Sequence, residues 1–170
     1  MSYATTQSFL DEFGLTEATQ LLSDEQGLLT EVLLQAALAG SFAPGTPAPD
    51  QAAANAAKAR LEAKLATATS LMDGYLRSVV TLPLPVGHSS APVLKDCCLA
   101  LARTMLADDS DNWTERMQTL ADRWNTWLRD VSAGRVLLVA SDGTEAPRKN
   151  RVFSGPVVSR FAWSGFGSEQ

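Results

Sequence analysis

Apolar residues recur at intervals of three and four along most of the chain, which is the pattern of helices that bury one face. The clearest stripe predicts a single helix between a capping-box start at Asn112 and Glu115 and a stop at Gly134. Its members are Trp113, Met117, Leu120, Trp124, Trp127 and Val131. An alanine-rich stretch, capped by Asp50 and running to about Val80, predicts a second long helix on the same spacing.

Shorter helices are predicted on either side of the alanine-rich stretch. Three lie in the first 40 residues, and Gly14 and Gly40 supply stops for the first and the third. Pro92 suits the first turn of another helix, which runs to about Ala107. Residues 41–50 hold three prolines and predict an exposed loop.

After Gly134 the pattern changes to short β-branched runs. Residues 136–140 predict a strand, and residues 152–161, interrupted by Gly155 and Pro156, predict an edge strand or extended arm. Two strands alone are marginal in water, so they require a partner surface. We therefore predict a mainly α fold: a compact bundle of about four to five helices over residues 1–138, with a short β-strand or extended C-terminal arm over residues 139–170.

The predicted core consists of the large apolar side chains on the inward faces of the three longest helices. These are Leu61, Leu65, Met72, Leu76, Leu94, Leu101, Met117, Leu120, Trp124 and Trp127. Leu71 belongs to the same predicted stripe. Trp113, Trp124 and Trp127 could instead stack nucleic-acid bases, but their regular helical spacing favours core packing.

Charge is distributed unevenly along the 170 residues, whose net charge is −5. Residues 1–50 carry seven acidic side chains and no Lys or Arg, whereas residues 148–170 carry four basic side chains against one acidic. The acidic total argues against generic nucleic-acid binding. No apolar run is long enough to cross a bilayer, and the N-terminus lacks signal-peptide features.

The sequence offers no credible catalytic or metal site, so we expect neither an enzyme nor a cofactor. His88 is the single histidine and is expected to be exposed in a loop. Cys97 and Cys98 are adjacent and lack a second ligand pair; we expect one to face the core and the other a neighbouring element. Residues 108–112 resemble half of a calcium loop but lack its glycine and glutamate, which favours a solvated acidic loop.

The basic C-terminal segment interleaves cations with aromatic side chains, a composition typical of protein interfaces. We expect it to bind a partner protein or a neighbouring subunit, although a disordered terminus is the alternative. The expected contact residues are Arg148, Lys149, Arg151, Phe153, Arg160, Phe161, Trp163 and Phe166.

Several short motifs in order resemble a family of small proteins from Mu-like phages and prophages. They are Ser2-Tyr-Ala-Thr5 with Phe13-Gly14, Met72-Asp-Gly-Tyr-Leu76, Thr81-Leu-Pro-Leu84, Pro92-Val-Leu-Lys95 with Ala102-Arg103, and Trp127-Leu-Arg-Asp-Val-Ser-Ala-Gly134. Their order and spacing match the family over residues 2–138. The chain departs from it at residues 40–57, a Pro/Ala-rich insertion expected to be a peripheral decoration or an extra contact to capsid or portal.

This resemblance implies a head–tail connector (adaptor, or head-completion) protein of the virion, assembled in the cytoplasm of the host bacterium. Such connectors are not enzymes; they bind the portal, form a commonly dodecameric ring that extends the DNA channel, and offer a docking surface to the tail. Many of them are monomers in solution and form the ring in the virion. A channel wall should not hold phosphate, so we expect either part of the acid-rich N-terminal region or the acidic residues Asp108, Asp109 and Asp111 to face the passing DNA. The alternative is a DNA-associated packaging or regulatory helical protein.

Overall fold

A computed structural model of the protein describes residues 2–23, 27–84, 88–109 and 112–138. Those residues form a mainly helical fold, as predicted. Its six helices correspond to the six helical stretches identified in the sequence, one or two more than the bundle of about four to five that was expected. The helices are α1 (Thr6–Phe13), α2 (Leu15–Leu21), α3 (Glu31–Ala39), α4 (Ala48–Leu76), α5 (Ala91–Asp109) and α6 (Glu115–Ser132).

The first two helices follow directly from local sequence chemistry. The Thr5 hydroxyl accepts a hydrogen bond from the Ser8 amide, and the Ser8 hydroxyl accepts one from the Thr5 amide, which together make a capping box at the start of α1. Gly14 ends α1 and begins α2 at a φ of +82°, a conformation that costs glycine little. The chain therefore turns sharply between two helices with no linker.

The centre of the fold is formed by α4, α5 and α6, which all pack against one another. On the opposite side, α3 packs against α4, α2 packs against α5, and α1 packs against α2 and α4. The α4–α5 pair thus lies between α6 and a layer made of α1, α2 and α3. Because α5 is covered on several sides, six consecutive residues from Cys97 to Ala102 are buried.

Most of the predicted core side chains lie inside this bundle. Leu61, Leu65, Met72, Leu76, Leu94, Leu101 and Met117 are buried, whereas Leu120, Trp124 and Trp127 are half-buried. Leu71 was expected in the stripe but is 37% exposed. The stripe prediction is wrong there because Leu71 lies about 100° around the helix from Met72, away from the face on which the other stripe residues are buried.

Two helices begin at residues other than those the sequence indicated. Helix α4 begins at Ala48, so Asp50 lies in its first turn rather than at its cap. Helix α6 begins at Glu115, because the Thr114 hydroxyl, not Asn112, accepts a hydrogen bond from the Met117 amide at 3.3 Å. Trp113 therefore precedes the helix and is 41% exposed, which corrects its place in the core stripe.

The insertion at residues 40–57 is partly a structural element of the bundle. From Ala48 onward it forms the first turns of α4, and Ala54 and Ala57 are buried. Just beyond it, Lys58 Nζ donates to the Ala37 carbonyl at 3.1 Å, and the Arg60 guanidinium donates to the carbonyls of Leu22 and Ser23. These two cations satisfy carbonyls near the ends of α3 and α2, which fixes those helices on α4.

The strand predicted at residues 136–140 is not formed in the part that the structure describes. Residues 135–138 follow α6 as a bend and irregular chain, with Leu138 buried against the core. The remainder of that prediction, and the whole of the arm over residues 139–170, lie outside the described residues.

Candidate interaction surfaces

The N-terminal segment is fastened to α4 by side-chain hydrogen bonds. The Tyr3 hydroxyl donates to Asp73 Oδ1 at 2.6 Å, and the Ser2 and Thr69 hydroxyl oxygens lie 3.4 Å apart. Burial first, and then the Asp73 carboxylate, raise the pKa of Tyr3 above its ordinary value of 10.0. Tyr3 and Asp73 belong to two of the motifs noted in the sequence, so these motifs meet in space.

Both cysteines of α5 are free and buried, and Cys98 lies next to Ala4 of the N-terminal segment. Cys98 Sγ is 3.6 Å from the Thr69 hydroxyl and 3.8 Å from the Leu65 carbonyl oxygen, to which it donates. Burial raises the pKa of Cys97 to about 12 and raises that of Cys98 as well. The prediction that only one cysteine faces the core is wrong, and neither thiol is suited to nucleophilic chemistry.

Arg103 of α5 joins the central pair to the first two helices. Its Nε donates to Glu17 Oε1 on α2, and its guanidinium lies 4.7 Å from the centroid of the Phe13 ring on α1. The Phe13 ring in turn meets Phe9 edge-on at 4.8 Å. Arg103, which also belongs to one of the sequence motifs, thus holds α5 against α1 and α2.

The C-terminal ends of α4 and α6 lie side by side. The hydroxyl oxygens of Ser78 and Ser132 are 3.0 Å apart, and Gly134 ends the helix with a φ of +75°. Past the turn, Arg135 pairs with Asp130 at 3.0 Å. Half-buried Val79 and Val136 pack against the core at this end of the bundle.

His88 differs from the sequence expectation. It is only 5% exposed, its Nδ1 accepts a hydrogen bond from the Ser90 amide at 3.2 Å, and its carbonyl accepts from the Ala91 amide at 2.9 Å. The predicted exposed loop histidine is therefore wrong, since the residue is buried at the start of α5. Its Nε2 is buried without a hydrogen-bond partner among the described residues.

The acidic residues proposed to face DNA lie at the end of α5. Asp108 and Asp109 are exposed, and Asp109 forms an ion pair with Lys64 of α4 at 2.7 Å. Asp111 lies outside the described residues. One of the two described charges is therefore already balanced by a cation of the same chain.

One flank of α6 combines exposed cations with partly buried apolar side chains. Arg116, Leu120, Arg123 and Trp127 follow one another at intervals of four, three and four residues, which places them along one side of the helix. Both arginines are exposed, and Trp127 meets its half-buried neighbour Trp124 edge-on at 5.7 Å. We call these five residues the Arg/Trp flank.

The expected partner-binding residues of the tail lie outside the described residues. They are Arg148, Lys149, Arg151, Phe153, Arg160, Phe161, Trp163 and Phe166. Within the part of the chain that the structure covers, no group of His, Cys, Asp and Glu side chains could hold a metal ion. None of the described helices is long and apolar enough to cross a membrane.

The described residues form a helical bundle in which the motif residues Tyr3, Asp73 and Arg103 make contacts between elements. Residues 3–154 match the family described as "Bacteriophage Mu, Gp36". The chain belongs to this family, which places it among the virion-associated structural and assembly proteins of phages. A search of curated proteins finds no match.

Proposed function

We propose that this protein is a non-enzymatic head–tail connector that binds the portal, extends the DNA channel and offers a docking surface to the tail. The observation that carries the proposal is family membership across residues 3–154. It is supported by the roles of the motif residues: Tyr3, Asp73 and Arg103 hold helices together. A protein whose motif residues build a rigid body suits a structural task.

The distribution of charge supports a channel wall through which DNA passes without being held. Each Lys or Arg that contacts phosphate releases counterions and adds affinity, so a wall that must let DNA slide should lack such contacts. Asp108 and Asp109 are exposed at the end of α5, and with Asp111 they are our candidates for the side that faces the lumen.

The basic and aromatic C-terminal arm is our candidate for the contact with the portal or a neighbouring subunit. Arginines interleaved with Phe and Trp supply the anchors that are enriched at the centres of protein interfaces. In this arrangement the arm reaches a partner while the helical bundle surrounds the channel as one copy of a dodecameric ring.

Removing the arm tests its part in the proposal. A variant that ends at Glu145 should keep the melting temperature of the helical bundle but lose binding to purified portal. A matched variant with Arg148, Lys149, Arg151 and Arg160 changed to Gln separates charge from chain length. Unchanged portal binding by the truncated protein would rule out docking through the arm.

The DNA-associated alternative makes a different prediction. It requires DNA affinity that falls steeply with added salt, because such affinity comes from contacts with phosphate. We expect no measurable binding of the full chain to duplex DNA at physiological ionic strength. Binding that disappears on changing Arg116 and Arg123 to Gln would favour the alternative.

A further inference from the structure

The Arg/Trp flank of α6 has two cations that no acid within the described residues balances. Arg116 and Arg123 are exposed and take part in none of the ion pairs that the described residues form. Glu115 and Asp122 lie on the opposite side of the helix. Asp130 continues the stripe beyond Trp127, but its carboxylate pairs with Arg135 at 3.0 Å. The flank is thus locally positive on a chain that is negative overall.

The same flank exposes apolar surface. Leu120, Trp124 and Trp127 are each partly exposed: the two tryptophans pack against the core cluster but leave part of their surface uncovered. Trp and Arg are the residues most enriched among the energetic anchors of protein interfaces. The flank therefore has the composition of a surface that another protein covers.

A complementary surface is present on the other side of the molecule. The segment that forms α1, α2 and α3 contains no Lys or Arg, and its side chains Asp11, Glu12 and Glu31 are exposed. Cations of α4 and α5 reach this layer, but they are engaged there: Lys58 and Arg60 by backbone carbonyls, and Arg103 by Glu17. Beside Glu31, the Val32 side chain is 75% exposed. This acid-rich layer is separated from α6 by the α4–α5 pair.

We propose that the Arg/Trp flank of one copy binds the acid-rich layer of the next copy, so that the protein associates head to tail. A surface that recognises a different surface of an identical chain makes a heterologous interface, which closes into a ring when the rotation permits. This inference deepens the proposed function, because it names the surfaces that would form the ring.

A second copy fits the flank better than nucleic acid does. Two cations supply little affinity for phosphate, and Glu115 and Asp122 lie on the same helix. The acid-rich layer offers opposite charge together with an exposed valine to meet the tryptophans. Charge complementarity of this kind selects the partner and sets the register between subunits.

Charge reversal on each surface gives a test that folding defects cannot imitate. Variant A carries Arg116→Glu and Arg123→Glu, and variant B carries Glu12→Lys and Glu31→Lys. Each alone should show a self-association constant roughly tenfold or more weaker than wild type at low ionic strength. An equimolar mixture of A and B should associate again, since every contact in an alternating assembly then joins opposite charges.

The readout is sedimentation velocity across a concentration series, with melting temperatures measured for every variant. Arg129→Glu, on another side of α6, is the matched control and should leave association unchanged. A wild type that stays monomeric at millimolar concentration, or a mixture that stays as dissociated as A alone, would overturn the proposal. Duplex DNA binding that variant A alone loses would assign the flank to nucleic acid instead.

Portal binding, measured in parallel, separates this inference from the proposed function. Variants A and B should still bind portal through the arm as single copies. Self-association without portal binding would contradict the connector role and leave the interface standing. Portal binding by a wild-type protein that never self-associates would support the connector role and contradict the proposed interface.

Discussion

The Tyr3 hydroxyl donates a 2.6 Å hydrogen bond to the Asp73 carboxylate, joining the second described residue of the chain to the last turn of its longest helix. The two residues are 70 positions apart in sequence. Because Ala4 beside Tyr3 is buried and the Ser2 and Thr69 hydroxyls are close, this bond helps to hold the N-terminal segment over Cys98 of α5. Two of the short motifs identified in the sequence are therefore in direct contact in the folded protein.

Removing either partner of the Tyr3–Asp73 hydrogen bond should destabilise the protein, and the effects of the two substitutions should not add. Tyr3→Phe and Asp73→Asn should each lower the free energy of unfolding by about 1 kcal/mol, since a hydrogen bond to a charged acceptor is lost from a half-buried site. The double variant should cost about as much as one single variant. Urea denaturation of all four proteins measures the coupling, and strictly additive losses would show that the bond contributes nothing.

Stability should fall as the solution becomes alkaline. Burial raises the pKa of Cys97 to about 12 in the folded protein, whereas an unfolded thiol ionises near its ordinary value of 9.0. The raised pKa favours the folded state fully below the unfolded value, and this contribution is lost as the pH rises through 9.0 towards about 12. Tyr3, whose pKa is also raised, adds a loss that begins near 10.0.

Urea denaturation at a series of pH values checks this dependence. Cys97→Ala should flatten the decline above about pH 9, and Tyr3→Phe should flatten the part above about pH 10. A curve for Cys97→Ala that parallels wild type throughout would contradict a buried, neutral thiol in the folded protein.

Adjacent residues of α4 provide a matched test of the core. Met72 is fully buried, and its replacement by Ala should destabilise the protein by about 2–5 kcal/mol, because a cavity is left in a packed interior. Leu71→Ala removes a similar side chain from a 37% exposed position and should cost roughly 1 kcal/mol or less. Equal losses would mean that the inward face of α4 is misplaced.

The Arg103 contact should be worth more than an ordinary surface charge. Arg103→Ala removes both the ion pair with Glu17 and the contact with the Phe13 ring, and should cost about 1–2 kcal/mol. Arg116→Ala, on an exposed side of α6, is the control and should change the stability of the monomer by about 0.5 kcal/mol or less. Thermal unfolding of the two variants at low protein concentration makes the comparison.

The helices themselves could be predicted from the sequence, because the residues that cap and end a helix act locally. Gly14, Gly40 and Gly134 each end a helix with a positive φ, as their positions after apolar stripes predict. The first residue of α6 could not be predicted, because Asn112 and Thr114 are both good N-caps. Only Thr114 accepts the hydrogen bond from the Met117 amide. Local chemistry alone does not distinguish two caps that lie two residues apart.

The sequence predicted which residues are buried only for helices that turn a single face towards the core. On α5, which meets α2, α4 and α6, both cysteines and their neighbours are buried, so a stripe rule that chooses one of two adjacent residues is bound to err. His88 is buried through tertiary packing that no feature of its loop sequence signals. Trp124 and Trp127 pack against the core, as their spacing predicts, but the sequence did not show that part of each remains exposed beside the arginines of the Arg/Trp flank.

The central claim, a connector that assembles on the portal, is tested most directly by electron cryomicroscopy of tail-less phage heads incubated with the purified protein. We predict a closed ring of density beneath the portal vertex, with helical bundles around an open channel and arms that contact the portal. The truncated variant that ends at Glu145 should leave the vertex bare. Heads whose portal vertex is unchanged by the full-length protein would contradict the connector role.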